Sequence, residues 1–304
     1  MNFNKKEFEG IFVAFYACYD NENNVSVEAT RKLARFYADK GIKGLYVGGS
    51  SGEGFLLTVE ERKQMLEAVM AEVGTELKII VHVGAAATRD SVALTKHAES
   101  LGVAAISAVP NVYYKIPERS IELHWKNIMD SADLPFIIYN IPQTTGYDLS
   151  LGLLKKMLSY PKVVGIKNSS MSTYDIQKFK AIGGKDLLVF NGPDEQYISG
   201  RIMGADAGIG GTYGVMPELY VKAEEFYVAG NIAKAQEIQF DINEIIGELL
   251  SFASLYAAAK AVLQLRGVDI GTTRLPLEPV SAEEQVKVQP LYEKIMKTIE
   301  KYKA

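Results

Sequence analysis

Lys162-Val163-Val164-Gly165-Ile166-Lys167-Asn168-Ser169-Ser170 is the stretch from which the fold can be read. Val163, Val164 and Ile166 form a short β-branched run of the kind that a parallel sheet buries on both faces. The run closes on Lys167, followed by three small polar residues and then a helical pattern. Taking an ammonium group out of water is costly, so a buried strand rarely ends this way. In a parallel sheet or barrel, Lys167 stands at the carboxyl end of its strand, where such folds place their chemistry. A lysine desolvated at such a place gives up its proton more readily and becomes a nucleophile toward carbonyls. The plainer reading is a lysine that snorkels from a strand end to solvent.

Outward from this stretch, short apolar runs alternate with helix-period segments from Gly10 to about residue 230. The runs are Gly10 to Phe15, Gly44 to Gly48, Lys78 to Val83, Ala104 to Ala108, Phe136 to Tyr139, Val163 to Lys167, Leu187 to Asn191 and Gly208 to Gly211. Eight consecutive βα units point to an α/β fold, a (β/α)8 TIM barrel. A doubly wound open sheet competes, but it seldom needs eight units. Helices are expected over Val25 to Lys40, Val59 to Val73 and Ser172 to Ile182. Thr58 with Glu61 three residues on reads as a capping box for the second of these. From Met216 onward only helical periodicity remains, as in Ile232 to Leu250, Leu255 to Leu265 and Ala282 to Tyr302. Residues 1–230 are therefore expected to form the catalytic barrel and 231–304 a C-terminal helical extension packed on it.

Bulk composition narrows the function. The chain has 304 residues, 48% hydrophobic and 23% charged, with a net charge of −4. This is the make-up of a globular protein, and it disfavours nucleic-acid or acidic-membrane partners. A single cysteine, Cys18, excludes an internal disulfide and a multi-cysteine metal site and fits a reducing compartment. No run approaches the length of a membrane span, and the first residues lack a signal-peptide core. The expected location is the cytoplasm. His82, His97 and His124 are too scattered for a metal site and are expected to be structural.

In a barrel the strand ends share one mouth, so they form the list of candidate groups. Glycines around Ser50 and Ser51 let backbone N–H groups approach a small anion such as a carboxylate, with a strand-to-helix turn assisting. An ordinary glycine-rich connection accounts for the same residues, and no Gly-Lys-Ser/Thr follows to make a phosphate loop. Tyr139 closes its strand, where a phenol can pass protons between substrate atoms or rest its hydroxyl in water. Asp194 and Glu195 can accept hydrogen bonds from several hydroxyls at once, as a sugar requires. Helix capping would equally justify that pair. Gly208 to Gly214 superficially suggests a dinucleotide loop but lies on the last strand, without the setting such a loop needs.

Taken together, Gly-Ser-Ser-Gly-Glu, Tyr-Asn-Ile-Pro and Gly-Ile-Lys resemble the pyruvate-dependent class I aldolases, the dihydrodipicolinate synthase/N-acetylneuraminate lyase family. The resemblance covers nearly the whole chain and implies a homotetramer. It implies a Schiff base on Lys167, a proton shuttle at Tyr139, and a seat for the pyruvate carboxylate at Ser50 and Ser51. The second tyrosine of Val112-Tyr113-Tyr114, Tyr114, matches one that reaches a neighbouring subunit's site.

Two further stretches, Asn191 to Glu195 and Gly208 to Tyr213, look like the sialic-acid lyase branch. Carried over, Asp194 and Glu195 hold sugar hydroxyls, Gly192 and Ser169 touch the sugar, and Tyr256 flanks it from the tail. The synthases carry an arginine two residues after the proline of their Tyr-Asn-Val-Pro, where this chain has Thr144, and a hydroxyl cannot replace a guanidinium fork. Gly211 departs from the lyase pattern, which often has serine there. The implied activity is reversible cleavage of N-acetylneuraminate, a sialic acid, to N-acetylmannosamine and pyruvate, with no metal or other cofactor. The alternatives are a 2-keto-3-deoxy sugar acid aldolase, a dihydrodipicolinate synthase, or a non-catalytic barrel that binds a keto acid.

Overall fold

The structure, a computed structural model, describes residues 3–110 and 112–303. Eight parallel strands close into a barrel in chain order: β1 Gly10–Ala14, β2 Gly44–Val47, β3 Lys78–His82, β4 Ala105–Ala108, β5 Phe136–Asn140, β6 Val163–Asn168, β7 Leu188–Asn191 and β8 Ala207–Gly210. Closure pairs Gly10 with Ala207 and Phe12 with Ile209. Each expected run contains a strand, with ends displaced by a residue, and the open-sheet alternative is excluded.

The alternation of β-strand side chains sorts each strand into two faces. Ile11 and Val13, Leu45 and Val47, Ile79 and Val81, and Ile166 point outward into the shell shared with the helices. Phe12, Ala14, Tyr46, Ile80, Ile137, Tyr139, Leu188, Phe190 and Ile209 fill the barrel interior. A short 3-10 turn, Lys5–Phe8, closes the bottom by laying Phe8 against Phe12, with ring centroids 6.3 Å apart. Phe12 in turn meets Phe190 edge-on at 5.4 Å. Each such ring buried on folding is worth about 1.5–3 kcal/mol. These rings fill the lower barrel, so a cavity inside the barrel opens at the top.

Around the strands lie α1 Val27–Ala38, α2 Val59–Val73, α3 Thr88–Ser100, α4 Glu118–Asp130, α5 Pro142–Thr145, α6 Leu151–Met157, α7 Tyr174–Gly183, α8 Tyr197–Ile202 and α9 Pro217–Val228. The capping box of α2 is present in both halves: Thr58 Oγ1 accepts from Glu61 N, and Glu61 accepts from Thr58 N at 2.8 Å. Beyond the barrel, α10 Ile232–Leu249, α11 Leu255–Leu265 and α12 Gln285–Lys301 pack on one another, and α10 lies along α9. Among the described residues no helix is long and apolar enough to cross a membrane.

Candidate active site

Strand parity decides where Lys167 goes. Ile166 belongs to the outer shell, so Lys167 points into the barrel. It is only 5% exposed, which replaces the snorkelling reading. Register pairs it with Tyr139 on the neighbouring strand. Its Nζ lies 3.9 Å from the centre of the Tyr139 ring and 4.3 Å from that of Tyr46. The two rings meet edge-on at 5.8 Å, and Tyr46 is anchored through its hydroxyl to Ser107 Oγ at 3.0 Å. The amine is thus fixed against aromatic faces, which hold a cation without a carboxylate and leave its nitrogen unblocked.

His82 completes this wall. Its ring stands perpendicular to that of Tyr139, with centroids 5.8 Å apart. Burial, with help from the nearby Arg62 cation, pushes its pKa well below the usual value, so the ring is neutral. The Gly48 carbonyl, 3.1 Å from Nδ1, can only accept, so Nδ1 carries the proton; Nε2 accepts from Val109 N. The histidine therefore stiffens the end of β2 without adding a charge beside Lys167, in line with its expected structural role.

Ser50 and Ser51 sit in a tight turn of their own. Gly52 N and Gly54 N donate to Gly49 O, and Glu53 N donates to Ser50 O. The expected assistance from a helix N-terminus is not found, because α2 begins only at Val59. Ser51 is buried, and Tyr256, at the start of α11, lies near it across Gly211: a Cβ there would come within 2.6 Å of Ser51 Oγ and 4.0 Å of Tyr256 Cε1. Burial pushes the Tyr256 phenol up to about 12, so this hydroxyl keeps its proton at neutral pH.

The ends of β7 and β8 supply the opposite wall. Asp194 opens a 3-10 turn, Asp194–Gln196, and does not cap a helix. Its Oδ2 accepts from Thr212 N and Thr212 Oγ1, both at 2.6 Å, and Thr212 Oγ1 also meets the Tyr220 hydroxyl at 3.0 Å. Burial pushes the carboxyl up to about 6, against those two donors; Glu195 adds to the rise and Lys167 opposes it. Helix α10 steadies the turn from outside: Gln239 Nε2 donates to Asp194 O at 3.2 Å and Asn243 Nδ2 to Glu195 O at 3.1 Å.

Two glycines keep this wall open. A Cβ at Gly192 would lie 2.0 Å from Ser169 Oγ and 2.7 Å from Asn168 O, so a side chain there would evict Ser169. Gly211 has a helical φ of −76°, so its backbone does not require glycine. Its role is space, since a Cβ would come within 2.6 Å of Ser51 Oγ.

These walls enclose a cavity of about 510 Å³ at the top of the barrel. Lys167, Tyr139, Ser50, Ser51, Ser169, Gly192, Asp194, Glu195, Gly211 and Tyr256 all line it. Tyr114 does not; the residue is 71% exposed, and its ring packs edge-on against Tyr113. No cluster of His, Cys, Asp and Glu suited to a metal occurs among the described residues. The sequence reading missed Tyr46, Gln239 and Asn243. Tyr46 carried a usable signal, since it falls in a strand run already singled out. Gln239 and Asn243 look like ordinary polar positions of an amphipathic helix.

Known proteins are similar to this chain over nearly their whole length. The sequence profile of the dihydrodipicolinate synthetase family matches residues 7–295. N-acetylneuraminate lyase of Mediterraneibacter gnavus is 45% identical over 288 residues, covering 94% of this chain and 91% of that protein. N-acetylneuraminate lyase 2 of Escherichia coli is 36% identical, covering 95% of each. The structure of a catalytic lysine mutant of Ruminococcus gnavus sialic acid aldolase superposes with a TM-score of 0.97 at 43% identity, covering 98% of this chain and 99% of that one. With the family profile and these relatives matched along nearly the whole chain, the chain belongs to the dihydrodipicolinate synthetase family.

Proposed function

We propose that this protein is a carbon–carbon lyase that cleaves N-acetylneuraminate reversibly to N-acetylmannosamine and pyruvate through a Schiff base on Lys167. One observation carries the reading. Among the described residues lining the cavity, Lys167 is the one lysine or arginine, buried against Tyr139, while a buried carboxylate, Asp194, stands in the same cavity. An amine beside a phenol suits a keto acid, and the acidic pair suits a polyol. Thr144 lines the cavity where the synthases carry an arginine, which speaks against a second carboxylate substrate.

In this reading Lys167 Nζ attacks C2 of the open-chain keto acid, and loss of water gives the iminium. Ser50 and Ser51 hold the C1 carboxylate. The Tyr139 oxygen takes the proton of the C4 hydroxyl, the C3–C4 bond breaks, and its electron pair moves into the iminium to leave an enamine. N-acetylmannosamine departs as the aldehyde. Protonation at C3 and attack of water on the regenerated iminium release pyruvate and free Lys167. Asp194, Glu195, Ser169, Gly192 and Tyr256 orient the sugar, with Gly211 leaving room. The iminium is itself the electron sink, so the reaction calls for no metal or other cofactor. The reading extends to a cytoplasmic homotetramer in which Tyr114 reaches a neighbour's mouth.

Pyruvate release measured over a panel of sialic acids and shorter keto-sugar acids tests it. We expect N-acetylneuraminate to give the highest kcat/KM. A shorter acid that outperforms it transfers the assignment to a sibling aldolase.

A further inference from the structure

Behind the Ser50–Ser51 turn lies an ion pair that the reaction scheme does not use. Glu53 Oε1 accepts from Lys260 Nζ at 2.6 Å, and the two side chains are 0% and 1% exposed. Four segments distant in sequence meet there. Tyr19, after β1, donates its hydroxyl to Glu53 Oε2 and lays its ring 4.4 Å from Lys260 Nζ. Arg274 N donates to Glu53 Oε2 at 2.9 Å, and Lys260 Nζ donates to Thr272 O at 2.8 Å. Glu53 also occupies the left-handed region, with φ of 51°, although glycines flank it on both sides. Retaining a glutamate where glycine would relieve the strain points to a need for its carboxylate.

The pair grips both partners of the carboxylate seat from behind. Glu53 is two residues from Ser51, in a turn whose own hydrogen bonds fix their spacing. Lys260 is one helical turn beyond Tyr256, which with Ser51 borders Gly211 in the same cavity. Burial pulls the Lys260 ammonium below its usual pKa, and the Glu53 carboxylate opposes that pull. We propose that Glu53 and Lys260 are positioning residues that fix where Ser51 and Tyr256 stand and thereby set the affinity of the mouth for the keto-acid carboxylate. The inference rests on the pyruvate reading of Ser50 and Ser51.

The test is the pyruvate concentration that half-saturates borohydride trapping, together with kcat and Tm, for Glu53→Gln, Lys260→Met and the double variant. The neutral double variant guards against misfolding, because replacing both partners of a buried pair is far better tolerated than removing one. Glu224→Gln, which breaks the pair between Glu224 and Arg201 away from the mouth, serves as control for mere loss of stability. We expect half-saturation to rise roughly tenfold to a hundredfold in the single and double variants, the scale of a misplaced binding group, with kcat at saturating pyruvate within about threefold of wild type. The control should lower Tm and leave half-saturation unchanged. A double variant with wild-type half-saturation overturns the proposal, as does a control that shifts it equally. Wild-type protein that pyruvate and borohydride fail to trap overturns the reading of the whole mouth, and this inference with it.

Discussion

The two ends of the cavity are built differently. At the Lys167 end, Lys167 and Tyr139 stand on adjacent strands in direct register, and the rings of Tyr46, Tyr139 and His82 form the walls. At the Asp194 end, the polar groups stand on turns after β7 and β8, and hydrogen bonds from Thr212, Gln239 and Asn243 hold those turns. A sheet fixes atoms to the tolerance that bond-making needs, whereas a hydrogen-bonded turn can be retuned without disturbing the barrel. The first end is therefore where substitutions should abolish chemistry, and the second where they should change which sugar is held.

The most severe break should come at Lys167. Lys167→Arg keeps a cation over the two rings, but a guanidinium stays protonated and cannot attack a carbonyl, so we expect no measurable pyruvate release. Retained turnover would dissolve the distinction between the two ends.

Tyr139→Phe ranks next. The ring that packs on Lys167 survives, while the proton carrier is lost, so kcat should fall by roughly 10²–10⁴-fold. Trapping of pyruvate as an imine should survive far better than cleavage in the same variant. Near-normal steady-state turnover would remove Tyr139 from the shuttle role.

Asp194→Asn moves the comparison to the other end. A hydrogen bond to a charged acceptor is worth about 1.5–3 kcal/mol, so KM for the sugar should rise roughly ten- to a hundredfold while pyruvate trapping is spared. The carboxyl titrates near 6, so the wild-type sugar KM should climb as pH falls from 7 to 5, and the variant should lack that slope. Stability should run the other way. A folded-state pKa raised above 3.8 favours folding fully only below that value, and the benefit is lost as pH rises through about 6. The substitution should accordingly raise Tm at pH 7 relative to its effect at pH 4. Unchanged sugar kinetics with altered Tm would leave Asp194 a purely structural group.

Gly211→Ser should be the mildest change and the one that sharpens the boundary between the ends. Its φ permits any residue, and the new hydroxyl adds one neutral hydrogen bond to the sugar, about 0.5–1.5 kcal/mol. The same side chain must push Ser51 Oγ aside, so pyruvate half-saturation should rise modestly as sugar KM falls. If the variant loses sialic-acid cleavage and a different keto-sugar acid proves the better wild-type substrate, the activity belongs to a sibling aldolase.

How much of this was legible in the sequence follows the same division. Lys167 and Tyr139 could be read because a parallel sheet turns the carboxyl ends of all its strands to one side, so finding the strands locates the mouth. What was hidden depends on the stagger of the closed barrel, which no local pattern records. Tyr46 looked like one more apolar residue of its run, yet closure brings it beneath the Lys167 amine. Glu53 and Lys260 are 207 positions apart, and neither carries a local sign of its partner. The capping explanation of Asp194 failed for a related reason: the donors that hold it come from Thr212, on the next strand end. The turn of Ser50 and Ser51 was singled out through its glycines, but no helix N-terminus stands behind it, because the connection to α2 folds into a turn of its own.

Reduction with borohydride in the presence of pyruvate, followed by peptide mass analysis, addresses the central claim directly. The account predicts irreversible inactivation, with a single pyruvate-derived mass increase on the peptide that contains Lys167. Label on another lysine, or full activity after reduction with pyruvate present, would contradict it.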